Sequence, residues 1–233
     1  IFERMISKRA NVNSNAFYEN QNNSDDFYDK YHIHPETFNS RVLSATEELV
    51  QDDLLYIDDT PAVSMAHIRN ECRRIKRERG AIGLIGVDYL TLMKAEKAER
   101  NDLAYGQITK ELKNLAREMD CVVLLLTQLN RGLENRTDKR PLPSDSRDTG
   151  QIEQECDYWF GLHKESVYNE QADQSLTEIL VRLNRHGGTG KVYVDQKFGS
   201  MFECDQMDAE RRSQIGKKEP RQQSYKKHDK DDF

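Results

Sequence analysis

The sequence predicts an α/β fold on a mainly parallel central sheet with strands added at the C-terminal end, and three stretches carry that expectation. IGLIGVDYLTLM (82–93) and CVVLLLTQ (121–128) are apolar on consecutive rather than alternate residues, the pattern of strands covered on both faces. Between them, from about Leu103, Ile108, Leu112, Leu115, Ala116 and Met119 form one helical stripe. A strand, a helix and a strand of these lengths make a βαβ unit, whose two strands run parallel.

The other elements follow in order. Ile1, Phe2, Met5 and Ile6 recur at helical spacing, so a helix is expected from 1 to 10. Residues 11–32, rich in Asn, Ser, Asp and Tyr without a period, read as loop or local disorder. His32 and His34, with no nearby Cys or third His, read as solvated side chains. Phe38, Val42, Leu43, Leu49 and Val50 predict a helix from Glu36 to Asp52, and LLYIDDTP (54–61) a short strand stopped by Asp, Thr and Pro. Ser64 is placed to cap a helix over 64–79, with Ile68, Cys72 and Ile75 on one face and Gly80 closing it. The polar stretch 129–150 is too long for an ordinary connection and reads as functional or mobile. Strands over 158–165, 176–185 and 191–197 are expected as a meander added to the parallel core. From Gln206 to Phe233 almost nothing is apolar, which predicts a disordered charged tail. That tail reads as solvated, with contact to DNA or a partner as the alternative role for its lysines and arginines.

Composition narrows the class. Lys+Arg 35 against Asp+Glu 41 gives a net charge of −6, and 36% of the residues are hydrophobic. No apolar run approaches the roughly 20 residues of a membrane span, so a helical membrane protein is excluded. Cys72, Cys121, Cys156 and Cys204 contain no Cys-x-x-Cys pair and read as reduced, cytoplasmic core residues. The chain opens on Ile-Phe-Glu-Arg without signal-peptide features, and it is expected to be a piece of a longer polypeptide.

Two residues carry the chemistry. Asp88 ends one apolar strand and Gln128 the other, at the carboxyl edge where α/β proteins bind ligands. An apolar strand ending in Asp has the form of a Walker B carboxylate, which holds Mg²⁺ on nucleotide phosphates; capping of the next turn is the plain alternative. Gln128 is placed to sense a terminal phosphate, or to serve a structural end. No G-x-x-x-x-G-K-[ST] phosphate loop occurs in these residues, and Gly188-Thr189-Gly190-Lys191 reads as a turn leading into a strand.

The run from IGLIGVDYLTLM through QLNR (128–131), DKRP (138–141), SD-x-R (144–147) and G-x-IEQ-x-x-D (150–157) resembles the RecA-like motor domain of the DnaB family of replicative helicases. The resemblance covers about 54–205 and extends weakly back to Ile1. It implies a RecA-like P-loop ATPase core truncated at its N-terminus, with 1–53 the remainder of the N-terminal half, 54–205 the motor core and 206–233 the tail. It also implies ATP and Mg²⁺ as cofactors, hydrolysis at the interfaces of a homohexameric ring, and 5′-to-3′ translocation on single-stranded DNA. Primase and a helicase loader would be partners, with no membrane.

By the same resemblance Asp88 matches the Walker B aspartate and metal ligand, and Gln128 the glutamine coupling the γ-phosphate to DNA-facing loops. Arg147, Asp148 and Gly150 match the loop that follows the DNA backbone. Arg185 matches the arginine finger that reaches a neighbouring subunit's ATP. The family's lysine two positions before it is Leu183 here, which leaves Arg182 as a candidate substitute. Family members also carry a phosphate loop and a catalytic glutamate that these residues do not contain, so this piece alone is expected to be inactive. Two other readings stand beside the helicase: a non-catalytic DNA-binding or ring-assembly module, which the acidic balance allows, and another RecA-fold ATPase, which leaves the DKRP-to-IEQ run unexplained.

Overall fold

A computed structural model describes residues 2–51, 54–94, 101–146 and 150–216. The first region is a helical cluster of α1 (Phe2–Ala10), α2 (Ser24–Tyr31) and α3 (Pro35–Gln51). Ile6, Ala10, Val12, Ala16, Phe27, Phe38 and Ala45 form its core, with the Phe38 ring 5.3 Å from Phe17 and 5.6 Å from Phe27, both edge-on. The expectation of a loop over 11–32 is therefore corrected. Helix α2 is too short to show a period, yet it buries Phe27 completely and closes on His32 in the left-handed conformation. Tertiary burial of one aromatic residue supplies what local propensity lacks.

The second region is the βαβ unit. Helix α4 (Met65–Arg79) starts at Ser64, whose hydroxyl accepts from the His67 N–H at 3.2 Å, and ends at Gly80 with φ +86°. Strand β1 (Leu84–Val87) pairs in parallel with β2 (Val122–Leu125), Leu84 opposite Val122 and Val87 opposite Leu125. Helix α5 (Asn101–Met119) crosses between them and inserts Ile108, Leu112, Leu115 and Met119 into a core shared with Cys72, Val87 and Leu90. The parallel arrangement is as expected, but its coverage is not. Among the described residues only one face of the pair is packed, and Leu84 and Val122 stay 58% and 63% exposed on the other. Consecutive apolar residues mark a face that can be buried; which faces are buried depends on what packs there.

The expected strand over 54–61 is also corrected. These residues form no strand; Leu54 is 86% exposed, and Tyr56 instead lies over the Arg74 guanidinium and hydrogen-bonds Glu71 at 3.1 Å. A strand exists only by pairing, and β2 is the sole partner of β1 among the described residues.

The third region is a four-stranded antiparallel sheet in sequential order, β3 (Tyr158–His163), β4 (Leu176–Asn184), β5 (Gly190–Lys197) and β6 (Ser200–Glu203). Phe198 and Gly199, both at positive φ, make the two-residue turn from β5 to β6. This meander is hydrogen-bonded as its own sheet rather than onto β1 and β2. It joins the second region through Trp159 and Leu183, which pack into the βαβ core.

Helix α7 (Gln206–Arg212) corrects the expected disorder from Gln206 onward; residues 217–233 lie outside the described residues. Asp205 caps it, accepting from the Asp208 N–H at 2.7 Å, and Ala209 is fully buried against Leu176 and Tyr193. Arg212 then reaches Asp195 at 2.9 Å and Asp173 at 3.1 Å. A helix nearly devoid of apolar residues docks here through one buried alanine, the Arg212 ion pairs and the Gln206 amide, which bonds both backbone groups of Tyr193 at 2.8 and 2.9 Å.

Candidate functional site at the carboxyl edge of the parallel strands

The two strands of the βαβ unit leave their sheet together. Leu126 N–H donates to the Val87 carbonyl at 2.9 Å, and Leu90 N–H donates to the Leu126 carbonyl at 3.0 Å. Leu90, fully buried, and Met93 then fix the chain after β1. Asp88 is thus held between a buried valine and a buried turn, with its carboxylate exposed and unbonded among the described residues. The Asp88–Tyr89 peptide is cis. Gln128 lies three residues beyond the end of β2, on the side of the same edge, and among the described residues its side-chain amide is also without a partner. The two expected residues share one edge of one sheet.

Gln128 lines an open cleft of about 610 Å³ with Leu129, Asn130 and Arg131. Arg131, which sequence reasoning did not single out, is exposed and unpaired among the described residues. The polar stretch beyond it, expected to be functional or mobile, is ordered through Ser146. The Arg136 guanidinium makes a two-pronged contact with Asp145 at 2.7 and 3.1 Å. Asn130 N–H donates to the Asp145 carbonyl at 2.8 Å, and the Trp159 indole donates to the Ser146 hydroxyl at 3.0 Å. Lys139 donates to the Glu134 and Arg136 carbonyls. The length that suggested mobility is taken up by these internal bonds.

The DNA-loop expectation falls mostly outside the described residues, because Arg147 and Asp148 lie in 147–149. Gly150 opens α6 (Gly150–Glu155) directly after them. Arg185 stands one residue beyond β4. Its backbone N–H donates to the Asp157 carbonyl at 3.0 Å, and its guanidinium donates to the Gln154 carbonyl. Arg182 is half-buried, donating to the Pro141 carbonyl at 3.2 Å. Among the described residues neither arginine bonds Asp88 or Gln128.

Charges elsewhere separate binding surface from scaffold. Much of the basic run of α4 is engaged within the fold: Arg69 pairs with Glu111, Arg73 with Glu118, and Arg74 with Glu71 and Glu78, while Lys76 donates to the Glu118 and Met119 carbonyls at the end of α5. Arg140 grips Glu178 with two bonds of 2.7 Å. Burial alone raises the Glu178 carboxyl pKa, but the bonds and charge of Arg140 bring it below the ordinary value. The Lys113 ammonium bonds Asp157 and holds that carboxyl below its usual range. No group of three or more His, Cys, Asp or Glu side chains able to hold a metal occurs among the described residues. An exposed, unbonded Asp88 suits Mg²⁺ all the same, since that ion commonly takes one or two carboxylates and completes its shell with phosphates and water. No described helix is long and apolar enough to cross a membrane.

Known proteins share this architecture. Residues 1–202 match the family described as the DnaB-like helicase C-terminal domain. The replicative DNA helicase DnaB of Buchnera aphidicola subsp. Acyrthosiphon pisum (strain APS) is 34% identical over 194 residues, covering 82% of this chain and 40% of that protein. DnaB of Pasteurella multocida (strain Pm70) is 44% identical over 140 residues, 59% of this chain and 30% of that protein. The chain thus spans well under half the length of these curated relatives. A DnaB-like replicative helicase, whose solved structure is described with its interactions with primase, superposes with a TM-score of 0.76 at 26% identity, covering 87% of this chain and 47% of that one. A second solved structure, of an ATPase domain, gives the same TM-score and identity over 87% of this chain and 69% of that one.

Proposed function

The chain belongs to the DnaB-like helicase C-terminal domain family, and from that premise we propose that it forms part of the ATP-driven motor of a ring-shaped replicative DNA helicase. The observation that supports this most is the pairing of β1 and β2 in parallel, which sets unbonded Asp88 and Gln128 at one carboxyl edge. In this reading Asp88 would hold Mg²⁺, which would supply neutralisation of the nucleotide's phosphate charge. Buried Val87 and buried Leu90 fix the backbone on either side of Asp88, which keeps the residue at the strand edge. Gln128 reads the terminal phosphate, and the ordered stretch from Asn130 to Ser146 connects it to Arg147, Asp148 and Gly150, the residues that would follow the phosphates of single-stranded DNA. Arg185 serves the nucleotide of the adjacent chain in a homohexamer, with Arg182 braced on the Pro141 carbonyl behind it. Translocation from 5′ to 3′ and exchange with primase and a loader belong to the same proposal.

The test is Asp88→Ala in the native assembly. Turnover is expected to fall by about 10² to 10³-fold, the scale of several kcal/mol of lost charge stabilisation, with an unchanged circular dichroism spectrum. DNA-stimulated hydrolysis retained at the wild-type rate would overturn the assignment.

A further inference from the structure

Arg185 is held at both ends by one junction of the chain. Its backbone N–H donates to the Asp157 carbonyl at 3.0 Å, and its guanidinium donates to the Gln154 carbonyl in α6. Asp157 sits between the end of α6 and the start of β3, and its carboxylate is bonded by Lys113 from the middle of α5. Helix α6 itself begins immediately after 147–149 and is anchored in the core by Ile152. Three elements therefore meet at Asp157: the crossover helix between the two site strands, the helix after the DNA-facing segment, and the arginine beyond β4.

We propose that the Lys113–Asp157 ion pair is a positioning clamp that pins the junction carrying Arg185 and α6 against α5, so that the arginine and the start of α6 keep one placement relative to the crossover helix. The proposal rests on the motor reading above. It assigns Lys113 and Asp157 no contact with nucleotide. The Asp157 carbonyl keeps the Arg185 backbone attached to the junction, while the guanidinium exchanges the Gln154 carbonyl for a ligand outside the chain. Two features make the geometry suited to this. The pair joins residues 44 apart in sequence, and the lysine is mostly buried, with its side chain 20% exposed against 41% for the aspartate. The clamp is thus anchored on its α5 side and more open on the junction side.

The experiment measures basal and DNA-stimulated ATP turnover in the native full-length assembly carrying Lys113→Met, Asp157→Asn, the swapped pair Lys113→Asp with Asp157→Lys, and Arg185→Ala. Either clamp variant is expected to lower DNA-stimulated kcat about tenfold while KM for ATP stays within about twofold. The swapped pair should recover most of the loss, and adding Lys113→Met to Arg185→Ala should cost nothing further, because both act through one group. Fully additive losses, or equal falls in basal and stimulated turnover, would overturn the clamp and leave the motor reading intact. A wild-type assembly with no DNA-stimulated turnover would overturn the motor reading, and the clamp with it. Asp157→Asn preserves side-chain volume and reads the same contact should Lys113→Met fold poorly.

Discussion

The βαβ unit and the antiparallel sheet lie side by side, joined through Trp159, yet they are held together by different forces. Around β1 and β2 the interior is a continuous apolar cluster of Ile108, Leu112, Leu115, Met119 and their neighbours, with ion pairs on the outside of its helices. Around β4 and β5 charge has moved inside. The Glu178 side chain is 5% exposed and gripped by Arg140, His163 is buried beside Glu165 at 3.0 Å, and Arg212 bridges Asp173 and Asp195. An apolar core tolerates reshaping but specifies no single register, whereas a buried carboxylate is stable only opposite its own cation. The difference suits their positions. In the proposed motor the first region exposes the Asp88 carboxylate at its strand ends, and the second carries Arg182 and Arg185 on and just beyond β4.

The largest effect is expected at Arg140. Arg140→Ala leaves Glu178 buried without its partner and should destabilise the protein by about 3–5 kcal/mol, read as a shift in the urea midpoint. An effect below about 1 kcal/mol would mean that the buried pair adds nothing beyond its packing. Acid sharpens the same contrast. The Glu178 and Asp173 carboxyl pKa values are depressed in the folded chain, so their contribution is complete above the ordinary carboxylate range and is lost as pH falls through the folded values. Hydrogen exchange is therefore expected to rise in β4 and β5 before β1 and β2 as pH falls below about 4. Loss of protection in both sheets together would remove the distinction.

A smaller effect is expected at the seam. Ser146→Ala removes the acceptor of the buried Trp159 indole and should cost about 1–3 kcal/mol, with a change in tryptophan fluorescence as its marker. The smallest belongs to the uncovered face of the parallel pair, where Leu124→Thr should shift stability by within about 0.5 kcal/mol. A cost of about 2 kcal/mol or more at Leu124 would show that another segment or chain packs there.

Much of this was legible in the chain itself. The helical stripe before Met119, the Ser64 cap, the Gly80 terminator and the two apolar runs are local signals, and the structure places α4, α5, β1 and β2 on them. The two candidate residues were marked because Asp88 and Gln128 stand where those runs end. Lys113 gave no such signal, being one polar residue on a long helix, and Asp157 stood in a quoted motif without an assigned partner. Arg131 went unmarked because its significance lies in remaining unpaired while Arg136 and Arg140 find carboxylates.

By itself the sequence determined the α/β class, the order of the elements around the candidate site and the identity of the two residues at its edge, because periodicity and strand termination are written in neighbouring residues. Only the tertiary structure decided that α2 and α7 fold, that among the described residues 54–61 pairs with no strand and one face of the parallel strands is uncovered, and that Lys113 meets Asp157. Each of these depends on groups far apart in the chain, such as Arg140 and Glu178 at a separation of 38 residues. No local pattern encodes which buried charge will find which partner, since that choice is made by the packing that brings them out of water together.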